Sequence, residues 1–209
     1  KKLCERFDVL VVSGHGAKDI EKYLGPELKG MYHILGQNGN HAETKDGRVL
    51  WNRSLSKEQK AAIMTFIAKA RKHLNLKVRD EGDIVEDRDS QIAFSLIGHH
   101  EDHAIKDAFD PGGKKRGELL KNLAGEVETL KKSNVEVRIG GTTNLDFFEY
   151  GRNKGFNVPA FIEKMGWNKE DSIYVGDALF PGGNDETVTG KIHTHAVADY
   201  RETYSYIEE

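Results

Sequence analysis

One stretch constrains the fold of this chain more than any other: residues 172–185, SIYVGDALFPGGND, where an apolar strand runs into an acid, a glycine-rich turn and a second acid. A strand ending in Gly176-Asp177 puts a carboxylate at the carboxyl edge of a sheet, where open α/β sheets bind their ligands. Pro181-Gly182-Gly183 then turns the chain so that Asn184 and Asp185 approach the same point. Hard oxygen donors in this arrangement suit Mg²⁺ and phosphate, the alternative being a strand followed by an ordinary polar turn.

The opening segment has βαβ grammar. Residues 3–7 resemble the tail of a helix, 7–12 form an apolar run of the buried parallel type, 18–24 predict a helix and 31–35 a strand. A turn at Gln37-Asn38-Gly39-Asn40 leads to a hairpin, 41–44 and 48–51, around Lys45-Asp46-Gly47. Ser56-Lys57-Glu58-Gln59 fits a capping box, and Ile63, Phe66, Ile67, Ala70 and Leu74 recur at helical spacing behind it. The middle then changes character: strands at 83–87, 91–96, 135–139 and 144–148 surround one amphipathic helix over 116–131. A helix over 154–165 and a buried strand over 172–175 return to the opening pattern. This order predicts an α/β core built from residues 1–49 and 150–209, interrupted by an inserted α+β domain over 50–149. If the opening and closing segments share one parallel sheet, their strand ends lie side by side.

The chain has 209 residues, 37% hydrophobic content and a net charge of −3, enough for a real core and without a global charge bias. Lysine and arginine are dispersed among acids, which argues against nucleic-acid or membrane-surface partners. No apolar run approaches the roughly 20 residues that span a bilayer. Cys4, the single cysteine, has no partner for an internal disulfide, and a cytoplasmic protein is the expectation.

With a shared sheet, four groups converge. Ser13 follows the apolar run Val9-Leu10-Val11-Val12 and suits a phosphoryl oxygen, although an ordinary turn serine would look the same. Lys154 stands at a helix start, where an acid is more usual; a phosphoryl group would explain it, and so would a solvated surface lysine. Asp177 and Asp185 complete a set suited to metal-assisted phosphoryl transfer. His99, His100 and His103 form a poor zinc site, because adjacent histidines point apart and no cysteine is near.

Val11-Val12-Ser13-Gly14, Lys154 after a short glycine loop, and Gly176-Asp177 with Gly182-Gly183-Asn184-Asp185 resemble the second, third and fourth motifs of the haloacid dehalogenase (HAD) superfamily. The phosphomannomutase-like branch of its subfamily IIB is the closest resemblance. Gln37-Asn38-Gly39, Glu86-Asp87-Arg88, Phe94-Ser95-Leu96-Ile97-Gly98 and Gly140-Gly141-Thr142-Thr143-Asn144-Leu145-Asp146 fall in that family's order. The resemblance implies a Rossmann-like HAD core, an inserted cap of the C2 type and a Mg²⁺-dependent site. It makes Ser13, Lys154 and Asp177 catalytic and Asp177 and Asp185 metal-binding. In the cap it assigns Arg88, Lys106, Arg116 and Asn144 to a distal phosphate and Asp146 to sugar hydroxyls. The implied substrate is a small phosphorylated sugar, mannose 1-phosphate or mannose 6-phosphate being the first choice, turned over by a phosphatase or a phosphomannomutase through an aspartyl-phosphate. A homodimer through the cap is implied as well.

Two departures qualify the resemblance. Family members carry a nucleophilic aspartate and an acid/base aspartate two residues later on the first core strand, and no such motif precedes Ser13. That strand would lie upstream of Lys1, so an amino-terminally truncated chain that does not turn over is the expectation; a non-catalytic sugar-phosphate-binding protein on the same fold is the alternative. In the cap, His99 and Lys106 stand where the mutases keep arginines, and Asn153 where the family often has aspartate. Lysine and histidine lack arginine's rigid fork, so the anion grip should differ.

Overall fold

The computed structural model describes residues 1–74 and 78–208; residue 209, the end of the second expected core segment, lies outside them. In chain order the elements are α1 (Lys2–Arg6), β1 (Leu10–Val12), α2 (Ala17–Leu24), β2 (His33–Gly36), β3 (His41–Glu43), β4 (Val49–Asn52), α3 (Lys57–Leu74), β5 (Val85–Asp87) and β6 (Gln91–Ser95). There follow α4 (His103–Phe109), α5 (Lys114–Asn122), α6 (Ala124–Lys132), β7 (Val135–Gly140), β8 (Asn144–Glu149), α7 (Lys154–Met165), β9 (Ile173–Gly176), β10 (His193–Ala196) and α8 (Tyr200–Glu208). They form two compact units, a split one of Lys1–Arg53 with Arg152–Glu209 and an inserted one of Ser54–Gly151. Among the described residues no helix is long and apolar enough to cross a membrane.

In the split unit, β1 and β2 run parallel, joined by α2, whose Ile20 packs with Tyr32 and Ile34. Gln37 and Asn38 then take left-handed backbone angles (φ 53° and 54°), which reverse the chain into the antiparallel β3 and β4. Such angles are costly outside glycine and persist where surrounding bonds over-determine them. Here the Asn38 amide donates to the Ser13 carbonyl (3.0 Å), and the Trp51 indole donates to the Gly39 carbonyl (2.9 Å).

Among the described residues the strands of the split unit lie in two ladders, each with a parallel pair. β1–β2–β3–β4 form one mixed sheet and β9–β10 a separate parallel pair, with no ladder between them among the described residues. What joins the two is α7, because Val158, Phe161 and Ile162 pack in one cluster with Leu35 and Ala42 of the first sheet and Tyr174 of the second. The helix approaches closely at its start, where the Gly155 amide donates to Thr187 Oγ1 (2.9 Å) and a Cβ on Gly155 would fall 1.9 Å from the Thr187 carbonyl oxygen. The obstacle is main chain, so Gly155→Ala is expected to cost about 3 kcal/mol, read as a lower urea midpoint with an unchanged m-value.

In the inserted unit, the Ser56 amide and hydroxyl exchange hydrogen bonds with Gln59 (2.9 and 3.2 Å), closing the capping box at the start of α3. Strands β5–β6–β8–β7 make an antiparallel sheet. Strand alternation sends Ile92, Phe94, Leu145, Phe147, Val135 and Ile139 into a core with α3, leaving the polar alternates on the opposite face. The single helix expected over 116–131 is two, α5 and α6, because Leu123 leaves helical geometry (φ −104°, ψ 29°). The break lets Leu119, Leu123 and Leu130 all reach the same core.

Candidate active site

Two groups of polar side chains stand out, one in each unit. In the split unit, β9 carries buried Tyr174 inward and delivers Asp177, exposed, just past its end. The loop then folds back: the Asp185 amide donates to the Ala178 carbonyl (3.2 Å), and the Ala178 amide donates to Asp185 Oδ2 (3.1 Å). Asp185 Oδ1 accepts from both Lys154 Nζ and the Tyr174 hydroxyl, each at 2.6 Å. Asp185 is 2% exposed and Lys154 6% exposed, so this is a buried charge pair. Burial pushes the Asp185 carboxyl up, but the Lys154 ammonium, the Tyr174 hydroxyl and the Ala178 amide outweigh it and hold the group below its ordinary value. Tyr174 moves the other way, through burial and the neighbouring Asp185 charge. Lys154 is also the first residue of α7, capped by Asn153, whose side chain accepts from the Phe156 amide. A cation there opposes the helix dipole, and Asp185 compensates it.

Ser13, half-buried, follows β1. Its Oγ accepts from the His15 amide (3.1 Å), which leaves its own proton available to another acceptor. Asn38, bound to the Ser13 carbonyl, has its Oδ1 3.4 Å from Asn184 Nδ2, so the ends of the two separate sheets are tied through side chains. Asn157 of α7 secures the tie by donating to the Asn38 and Arg152 carbonyls (3.1 and 2.9 Å).

The second group lies on the polar face of the inserted unit's sheet. Asp146 on β8 stands opposite Ala93 of β6 and Arg138 of β7, its carboxylate against Gly140, where a Cβ would fall 2.1 Å from Asp146 Oδ2. The Ala93 carbonyl accepts from His99 Nε2 (3.3 Å), the His99 carbonyl accepts from Lys106 Nζ (2.9 Å), and Glu86 bonds Arg88 Nε (2.8 Å) while lying 3.9 Å from His99 Nδ1. Arg116, 2% exposed, donates through Nε to Asp110 Oδ2 (2.7 Å) and through Nη1 to the Gly140, Gly141 and Asn144 carbonyls (2.8–3.0 Å). Arg88 and Lys106 thus gather around Glu86 and His99, while Arg116 fastens the turn that leads to Asn144 and Asp146. His99 is held below its ordinary value by burial, which outweighs Glu86, so it is neutral near pH 7. His100 goes elsewhere: its Nδ1 is 2.5 Å from Asp83 Oδ1.

Sequence reasoning did not single out Tyr174, Asn157 or Asp110. Tyr174 had a legible signal, a tyrosine on the buried phase of an apolar strand, where its hydroxyl needs a partner. Asn157 and Asp110 had none, since their partners lie in other elements.

Solved structures share the fold, among them the three that follow. N-terminal truncated Plasmodium falciparum IMP-nucleotidase gives TM-score 0.69 at 12% identity over 99% of this chain and 62% of that chain. SMU.1108c from Streptococcus mutans UA159 gives 0.64 at 16% over 98% and 80%, and a haloacid dehalogenase-like hydrolase from B. subtilis gives 0.63 at 10% over 98% and 88%. The chain spans about three fifths of the length of the IMP-nucleotidase chains it matches. Comparison with curated protein sequences finds no match. Fold and motifs together define a protein of the HAD superfamily. Within it, the chain belongs to the eukaryotic phosphomannomutase family, whose model matches residues 1–209.

Proposed function

We propose that this chain carries the phosphoryl-handling part of an enzyme that moves a phosphoryl group on or off a small phosphorylated sugar. The observation that carries this reading is the buried Lys154–Asp185 pair, 2.6 Å apart, which ties the start of α7 to the loop that begins at exposed Asp177. A lysine held inside a carboxylate network at a strand end is fixed charge placed before reaction, which is what stabilising a transferring phosphoryl group requires. Ser13 supplies a hydroxyl proton to a phosphoryl oxygen. Asp185 holds the lysine and the loop.

Mg²⁺ fits Asp177, an exposed hard-oxygen donor, since this ion is commonly bound by one or two carboxylates plus substrate phosphate and water. It fits Asp185 only indirectly, because both Asp185 oxygens already accept hydrogen bonds. When bound, the ion would neutralise phosphoryl charge. In the inserted unit, Arg88 and Lys106 supply positive charge for a distal phosphate, Arg116 fixes the turn, and Asp146 accepts from sugar hydroxyls.

A phosphatase and a mutase share this chemistry up to the acceptor. A histidine at position 99, its ring engaged with the Ala93 carbonyl (3.3 Å), is the observation favouring hydrolysis, since it offers no guanidinium fork for the distal grip that a reorienting bisphosphate needs. The test uses the full natural chain with Mg²⁺ and mannose 1-phosphate, following free phosphate and mannose 6-phosphate with and without a hexose bisphosphate. Free phosphate without isomer is the expected result. Bisphosphate-dependent isomer formation would make it a mutase, and no product from several sugar phosphates would sink the enzyme reading.

A further inference from the structure

We infer that Asn157 is a positioning residue for phosphoryl transfer, its side-chain NH₂ fixing where the Ser13 hydroxyl stands relative to the Lys154 ammonium. The inference rests on the phosphoryl-transfer reading above and deepens it. Its basis is the way Ser13 is held. The Ser13 amide donates to the Leu35 carbonyl (3.1 Å), the Asn38 amide donates to the Ser13 carbonyl (3.0 Å), and the Gln37 amide donates to the His15 carbonyl (3.0 Å). Ser13 and the loop behind it thus follow residues 35–38. Two of those residues, Gln37 and Asn38, have left-handed angles that need outside bonds to persist.

Asn157, 0% exposed, supplies such a bond. Its Nδ2 donates to the carbonyls of Asn38 (3.1 Å) and Arg152 (2.9 Å), and its Oδ1 accepts from Arg53 Nη1. These partners admit one orientation of the amide, because carbonyls only accept and a guanidinium only donates. α7 presses on the same turn at Gly39, where a Cβ would fall 2.3 Å from Asn157 Cβ. Asn157 follows Lys154 by three positions, so the two share a face of the first turn of α7. Lys154 has anchors of its own, since it bonds Asp185 and the adjoining Gly155 amide donates to Thr187 Oγ1 (2.9 Å). One turn of helix therefore spans from the Lys154 pair to the turn that carries Ser13. Loss of the Asn157 NH₂ is felt at the Ser13 end, where a donor displaced by about 1 Å costs up to about a hundredfold in rate.

A double-mutant cycle on the full natural chain, with Mg²⁺ and mannose 1-phosphate, reads this as kcat/KM for total product. Asn157→Asp keeps the shape and the acceptor for Arg53 but loses both donors, and is expected to lose about tenfold. In a Ser13→Ala background the same substitution should cost less than about twofold, since the group it positions is gone. A full tenfold loss in both backgrounds, roughly additive, would overturn the inference, because a merely structural residue acts regardless of Ser13. Asn157→Ser, which leaves room for a water to serve the two carbonyls, takes its place if Asn157→Asp does not fold. Hydrogen exchange reads the tie without turnover. In the Asn157 variant the Asn38 amide should exchange about tenfold faster, while the His33 amide, bonded to the Val9 carbonyl at the start of β2 (2.8 Å), keeps its rate. Equal acceleration of both amides would refute the tie. An unaltered chain that turns over no sugar phosphate sinks the phosphoryl-transfer reading by itself, and selective acceleration at Asn38 would then still uphold Asn157 as the residue that fixes the Ser13 turn to α7.

Discussion

Replacing Lys154 with alanine in the full natural chain is expected to remove the proposed phosphoryl transfer and to lower folding stability by about 3–5 kcal/mol, because it strands a buried carboxylate without its cation. Asp185 and Tyr174 would share a pocket with no positive charge, and protonation of Asp185 is the cheapest relief. Chemical denaturation of Lys154→Ala and of the double variant Lys154→Ala/Asp185→Asn checks this. The double variant should be the more stable of the two, and equal losses would mean the pair is not coupled. The pH dependence has a fixed sign. The folded Asp185 carboxyl lies below its ordinary value, so folding favours the ionised form. Its stabilisation is therefore complete above the ordinary carboxylate range and is lost as pH falls through the folded value. The stability gap between the unaltered chain and Asp185→Asn should close with acid across that window.

Arg116→Met is expected to cost a similar amount, about 3–5 kcal/mol, although the residue was expected to act as a ligand for phosphate. Its guanidinium is committed to Asp110 and to three main-chain carbonyls, those of Gly140, Gly141 and Asn144. Burial alone would push the Asp110 carboxyl up; Arg116 and the Lys115 and Arg116 amides bring it below its ordinary value. Removing the guanidinium leaves Asp110, 3% exposed, unpaired and releases the turn before β8. Arg116→Lys should rescue only part of the loss, since a point charge cannot meet a carboxylate and a row of carbonyls as the planar fork does. A thermal melt reads the loss directly. Substitution of Arg88, which sits at the sheet's edge, should instead weaken ligand binding with a smaller change in melting temperature.

Much of this was legible from residues alone. The bounds of α7 follow from Asn153 as cap and Gly166 as stop, and the capping box at Ser56 closes as its spacing implies. Local signals of this kind work because the partner groups lie within one helical turn. The acids at 177 and 185 were legible for the same reason, as a strand end and a glycine turn a few residues apart. Other features were decided only in three dimensions. Nothing in the sequence separates β9–β10 from β1–β4 or makes α7 the element that unites them, since packing between distant segments decides both. The partner of Lys154 lies 31 residues away, and the carbonyls that occupy Arg116 lie 24 to 28 away. A sequence shows that a residue can carry charge or donate hydrogen bonds. Whether that capacity remains open to a ligand, or is consumed by a buried neighbour, depends on which donors and acceptors tertiary packing brings within about 3 Å.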